Sequence, residues 1–160
     1  MASDPQRELF RHTLATLAYR GGKALRGAPP EFADFQAAPT TRTPAQILAH
    51  LGDLLDWSLS IVQGKEVWHN STPLVWDREV QRFFAALERF DAYLAADAPL
   101  AESLDKLFQG PIADALAHVG QIAMLRRMAG CAVRGENYHR AEIALGRVGP
   151  DQTPPHREFD

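Results

Sequence analysis

Cysteine is the scarcest reactive group in this chain. Cys131 is alone among 160 residues, so no internal disulfide can form. Long apolar runs are missing as well. None approaches the ~20 residues that a membrane-spanning helix needs, and the first eight residues carry no apolar signal core. The expected compartment is therefore cytoplasmic. Basic stretches are equally thin. The longest Lys/Arg concentration is Arg126-Arg127, and the formal net charge is −3 with a pI near 6.1. That balance offers no electrostatic footprint for nucleic acid, and neither nucleic acid nor a membrane is expected as a partner. Alternating strand patterns, internal repeats and low-complexity segments are also nearly absent.

What remains is helical spacing. With 46% hydrophobic residues, a chain of this length can bury one full core. Asp4-Pro5 has the grammar of a helix start, and Leu9, Phe10, Thr13, Leu14 and Leu17 follow at helical spacing. Gly21-Gly22 weakens this helix, and Ala28-Pro29-Pro30 ends it. A proline-containing loop over 28–42 is expected to be pinned by Phe32 and Phe35. Thr43-Pro44 opens a second helix, with Ile47, Leu51, Leu54, Leu55 and Ile61 on its apolar stripe and Gly64 as its stop. Thr72-Pro73 opens a third, carrying Val80, Phe83, Phe84, Leu87, Phe90 and Leu94. A short helical piece over 101–108 precedes a fourth start at Gly110-Pro111. Its stripe of Ile112, Leu116, Val119 and Ala123 runs to about Val133, and Gly135 closes it.

Four apolar faces must be buried against one another, which predicts an all-α four-helix bundle with short extra helices. Residues 1–150 are expected to form one domain, and 151–160 a flexible C-terminal tail. The connections before the second and third helices are long enough to cross the end of the bundle. Neighbouring helices therefore need not alternate in direction.

Three side chains stand out for chemistry. Asp114 and His118 are four residues apart, so a helix stacks them on one face. His50 lies between Ile47 and Leu54 on the apolar stripe of another helix. Each has a plain structural reading. A histidine on an apolar face is commonly a satisfied core residue. An acid just after a helix start suits the helix dipole. Asp114 can also partner His118 directly, because a buried imidazole needs partners for both nitrogens. Alternatively, two imidazoles and one carboxylate converge on a divalent ion with open positions. Spacing alone leaves both arrangements open. Gln121, one turn beyond His118, is placed to orient a ligand. Gly120 offers close helix approach. Arg126 reads as a surface arginine or an anion holder, and Trp57 and Trp76 as core or pocket walls. His139 is a spare polar group. Cys131 reads as a small buried hydrophobe.

The segment from Pro111 to Gly130, with its His118-Val-Gly-Gln-Ile122 element, resembles the last bundle helix of the DinB-like (DinB/YfiT-like) superfamily. The stretch Thr43 to Trp57 resembles that family's second helix, with the metal histidine at His50. The tail from Gly135 to Pro150 is similar to one branch of its members. The resemblance covers nearly the whole chain. It implies an up-down-down-up bundle, a homodimer, and a divalent metal at His50, Asp114 and His118, with zinc or nickel ahead of iron. The family pattern has a histidine where this chain has Asp114.

The resemblance further implies a thiol S-transferase. The metal would hold a low-molecular-weight thiol as thiolate for attack on a small electrophilic substrate. Two alternatives accompany it: a non-catalytic, stress-related bundle that binds a small molecule or protein, and a metal-dependent hydrolase.

Overall fold

The computed structural model describes residues 4–159. Four long helical segments pack around one core: α1 (Pro5–Leu25), α2 (Pro44–Val62), α3 (Trp76–Ala95), and a final segment over 104–128. That last segment joins α4 (Leu104–Leu107), a π turn (Phe108–Ile112) and α5 (Ala113–Met128). The molecule is thus all-α, apart from a two-stranded ribbon of β1 (Gly135–Glu136) and β2 (Glu158–Phe159). Among the described residues, no helix is long and apolar enough to cross a membrane.

Two helix starts follow the sequence closely. The Asp4 carboxylate accepts from the backbone N–H of Gln6 and Arg7, with Pro5 at the first helical position. Thr43 and Gln46 form a reciprocal capping box ahead of α2. Each satisfies donors that a helix N-terminus otherwise leaves unpaired. Leu14, Leu17, Leu48, Leu51, Leu55, Phe83, Leu87 and Phe90 are fully buried between the helices. Leu9, expected on the first apolar stripe, instead faces out. α1 runs unbroken through Gly21-Gly22. A side chain at Gly21 would place its Cβ 2.8 Å from Phe83 Cζ, so glycine lets α1 and α3 approach. Phe32 is buried as expected, held in a 3-10 turn, Pro30–Asp34, within the first loop.

The third helix begins at Trp76, not at Thr72-Pro73. Residues before a proline favour extended backbone, and the side chains here hold that form. Ser71 donates its backbone N–H and its hydroxyl to Asp53 on α2. The buried Glu79 carboxylate then accepts the N–H of Leu74. α2 and α3 share an ion network in which Arg82 bridges Asp53, Asp56 and Glu79 and donates to Ala49 O, while Arg89 reaches Asp56.

The Gly110-Pro111 start is also corrected. Helical backbone begins earlier, capped by Ser103, and Pro111 sits inside the π turn. A wider turn accommodates a residue with no N–H to donate, where an α-helix would kink or break. α5 stops at Met128, short of Val133, because Gly130 adopts φ 76° and the N–H of Cys131 turns back to Arg126 O. Gly135 closes no helix; it lies in β1. Within the stretch 151–160, expected as a flexible tail, the last described residues return to the fold. β2 pairs with β1, and Glu158 reaches the buried Lys23.

Candidate metal centre

α2 and α5 face each other across one side of the core, and they bring the three predicted residues together. One ligand atom from each of His50, Asp114 and His118 lies within 4.8 Å of the others, so this group could hold a metal ion. His50 Nε2 stands 3.3 Å from Asp114 Oδ2, and His118 Nε2 stands 3.4 Å from Asp114 Oδ1. The two rings meet edge to face, with centroids 4.8 Å apart. Among the described residues, no other trio of His, Cys, Asp or Glu side chains gathers in this way.

Local contacts set each ring. His118 Nδ1 lies 2.7 Å from Gln121 Oε1, an acceptor one turn further along α5. A neutral His118 that donates Nδ1–H to Gln121 leaves its Nε2 lone pair facing Asp114. Two lone pairs then oppose each other at 3.4 Å, and a cation between them, metal ion or proton, relieves the arrangement. The two His–Asp spacings match such a metal ion, since bonds of about 2.0–2.1 Å in tetrahedral array place ligand atoms roughly 3.3 Å apart, while the trio as a whole spans up to 4.8 Å. The exposures are consistent with this. The side chains of His50 and His118 are 19% and 13% exposed, whereas that of Asp114 is 49% exposed. Asp114 is thus open to solvent and to a ligand.

Burial pushes the His50 imidazole below its ordinary value, and His118 and Arg42 add to that shift while the hydrogen bond to Asp114 opposes it. The neutral ring is the form that binds metal.

The trio lines a cavity of about 570 Å³. Its lining also includes the buried Ile47 and Leu125, the exposed Met124, and the polar Arg42 and Gln121. A second, more polar hollow lies on the other side of His50, where Arg42, Gln46, Asn70 and Ser71 gather. Trp68, from the connection between α2 and α3, packs edge-on against His50 and against Trp57. Sequence reading passed over Trp68. An aromatic beside His69-Asn70 in a long connection was the available signal.

The remaining candidates fall elsewhere. Arg126 is neither a surface residue nor an anion holder: it is buried and donates to the carbonyls of Ala24, Arg26, Gly27 and Cys131. It thereby joins the C-termini of α1 and α5, where a cation complements the helix dipole. Gly120 faces open space and brings no helix close. Trp76 packs on Phe32, away from the cavity. His139 lies exposed in a 3-10 turn, and Cys131 packs half-buried on the core. Compared with protein-family models, with curated proteins and with solved structures, the chain gives no match in any of the three.

Proposed function

We propose that this chain is a DinB-like metalloprotein that activates a low-molecular-weight thiol for transfer to a small electrophile. The observation that carries the reading is the convergence of His50, Asp114 and His118 in the lining of a cavity. Two neutral imidazoles and one carboxylate leave a divalent ion with a net charge of +1 and free positions. Zinc, nickel and iron suit this nitrogen-rich set better than magnesium or calcium. When bound, such an ion lowers the pKa of a coordinated thiol and so supplies a nucleophile at neutral pH.

The chain's own residues do the rest. Gln121 fixes the His118 ring, and Trp68 with His118 confines the His50 ring from two sides. Ile47 and Leu125 keep one wall of the cavity apolar, which strengthens electrostatic interactions at the site. No protein cysteine is required, in keeping with the single Cys131, which lines neither hollow.

The up-down-down-up course belongs to the same proposal, and contact pairs support it. Along α2 and α3 the numbers rise together: Asp53 meets Arg82, and Asp56 meets Arg89. Along α1 and α3 they run opposite: Arg7 meets Leu94 O, and Arg11 meets Asp91. α1 and α5 again rise together, from Gly21 beside Val119 to Ala24 beside Arg126.

The test is turnover of 1-chloro-2,4-dinitrobenzene by zinc- or nickel-loaded protein with bacillithiol, mycothiol or glutathione supplied. The thiolate sulfur forms a bond to the ring carbon, chloride leaves, and the thiol proton goes to solvent. Thioether formation that requires both the thiol and the metal is expected. Turnover indifferent to added thiol would contradict the transferase.

A further inference from the structure

We propose that the substrate of this cavity carries a carboxylate on an apolar body, with Arg42 receiving the carboxylate. The inference rests on the metal reading above and names the chemistry of the molecule that reacts there. Charge is the first ground. Asp114 is the one acid that lines the cavity, and it is turned toward the two histidines. An ion at the trio absorbs that single negative charge, and Arg42 adds a further positive one. The cavity then holds net positive charge with no resident anion to balance it. Asp53, the acid in the neighbouring hollow, is taken up by Ser71 and Arg82.

The second ground is the state of Arg42 itself. Its side chain makes no hydrogen bond or ion pair with any described residue. Its backbone is nonetheless held on both sides. Thr41 is tied to Ala38 and Gln36, and Thr43 forms the capping box with Gln46. The guanidinium therefore reaches the cavity from an anchored backbone with its donors uncommitted, a form suited to bidentate carboxylate recognition.

The third ground is the apolar part of the lining. Ile47 and Leu125 present buried apolar surface, and Met124 is 59% exposed at the mouth. A flexible thioether can close over an alkyl or aryl group of varied shape. The volume, about 570 Å³, lies in the range of small-molecule sites.

The experiment compares hexanoate with hexanamide, equal in shape and unequal in charge, by calorimetric titration of the zinc-loaded full chain and of its Arg42→Gln variant. Hexanoate is expected to bind more tightly than hexanamide. Arg42→Gln is expected to weaken hexanoate at least about tenfold and to leave hexanamide unchanged. Equal binding of the two probes, equal weakening of both by the substitution, or binding of neither would overturn the proposal. Zinc content is measured on the same samples, and the titration is repeated on metal-free protein. A chain that takes no zinc sinks the metal reading. A preference for hexanoate that persists without zinc and disappears in Arg42→Gln would still uphold the carboxylate site.

Discussion

His118 and Gln121 show how one helical turn defines a ligand. The imidazole has two nitrogens, and occupying Nδ1 with Gln121 Oε1 at 2.7 Å aims Nε2 at Asp114. Replacing Gln121 with Ala is expected to weaken metal affinity by about 10–100-fold while leaving the three ligands in place. Competition against a chromophoric chelator measures this, and an unchanged affinity would show that Gln121 only touches the ring. The pair Asp114–His118 was legible because i,i+4 spacing on a helix fixes which side chains are neighbours. The apolar stripe marked His50 only as an inward-facing histidine, and its place as a third ligand was implied by the family resemblance. Arg126 was misread because its acceptors are the carbonyls of Ala24, Arg26 and Gly27, about a hundred residues away. No local pattern announces that three carbonyls at the end of another helix await a guanidinium. Trp68 escaped for the same reason, since its contact with His50 depends on the path of a loop.

At the scale of elements, the register of α3 against α2 depends on Asp53. Its carboxylate is 2% exposed and accepts from Ser71 N, Ser71 Oγ and Arg82. Burial works to raise its pKa, but the Ser71 hydrogen bonds and Arg82 outweigh it and hold the group below its ordinary value. A carboxylate depressed on folding contributes stability above its unfolded pKa, and that contribution is lost as pH falls through the folded value. Asp53→Asn is therefore expected to cost about 3 kcal/mol at neutral pH, since Arg82 loses its ion pair with Asp53 and keeps Asp56, Glu79 and the Ala49 carbonyl. It should also flatten the stability profile on the acid side of about pH 4. Urea unfolding across pH checks both, and a loss under about 1 kcal/mol would rank the network as incidental. The starts of α1 and α2 were legible from Asp4-Pro5 and Thr43-Pro44 because capping is local chemistry. Thr72-Pro73 and Gly110-Pro111 carry the same grammar without the same outcome. At the first, Asp53 and Glu79 hold the chain extended; at the second, helical backbone already begun at Ser103 runs through Pro111 in a π turn.

Across the whole molecule, α1 is joined to the last described residues away from the cavity. Lys23 on α1 is buried between Glu136 and Glu158, and Glu136 also accepts the Tyr19 hydroxyl. Arg157 O accepts the N–H of Asn137 beside the ribbon. Ending the chain at Pro155 removes β2 and Glu158 but spares Glu136. A loss of about 1–2 kcal/mol is expected, the value of a few backbone and charged hydrogen bonds. Metal affinity should not change, because none of these residues lines the cavity. Thermal unfolding and chelator competition on the same sample separate the two effects. The central claim is that α2 and α5 meet to form a metal centre. Metal analysis of the full chain, purified without chelator and then reconstituted, tests it most directly. The account predicts one zinc or nickel ion per chain, retained by the wild type and lost from Asp114→Ala and His118→Ala while helical circular dichroism is unchanged. A chain that takes up no stoichiometric ion, or variants that keep it, would contradict the account.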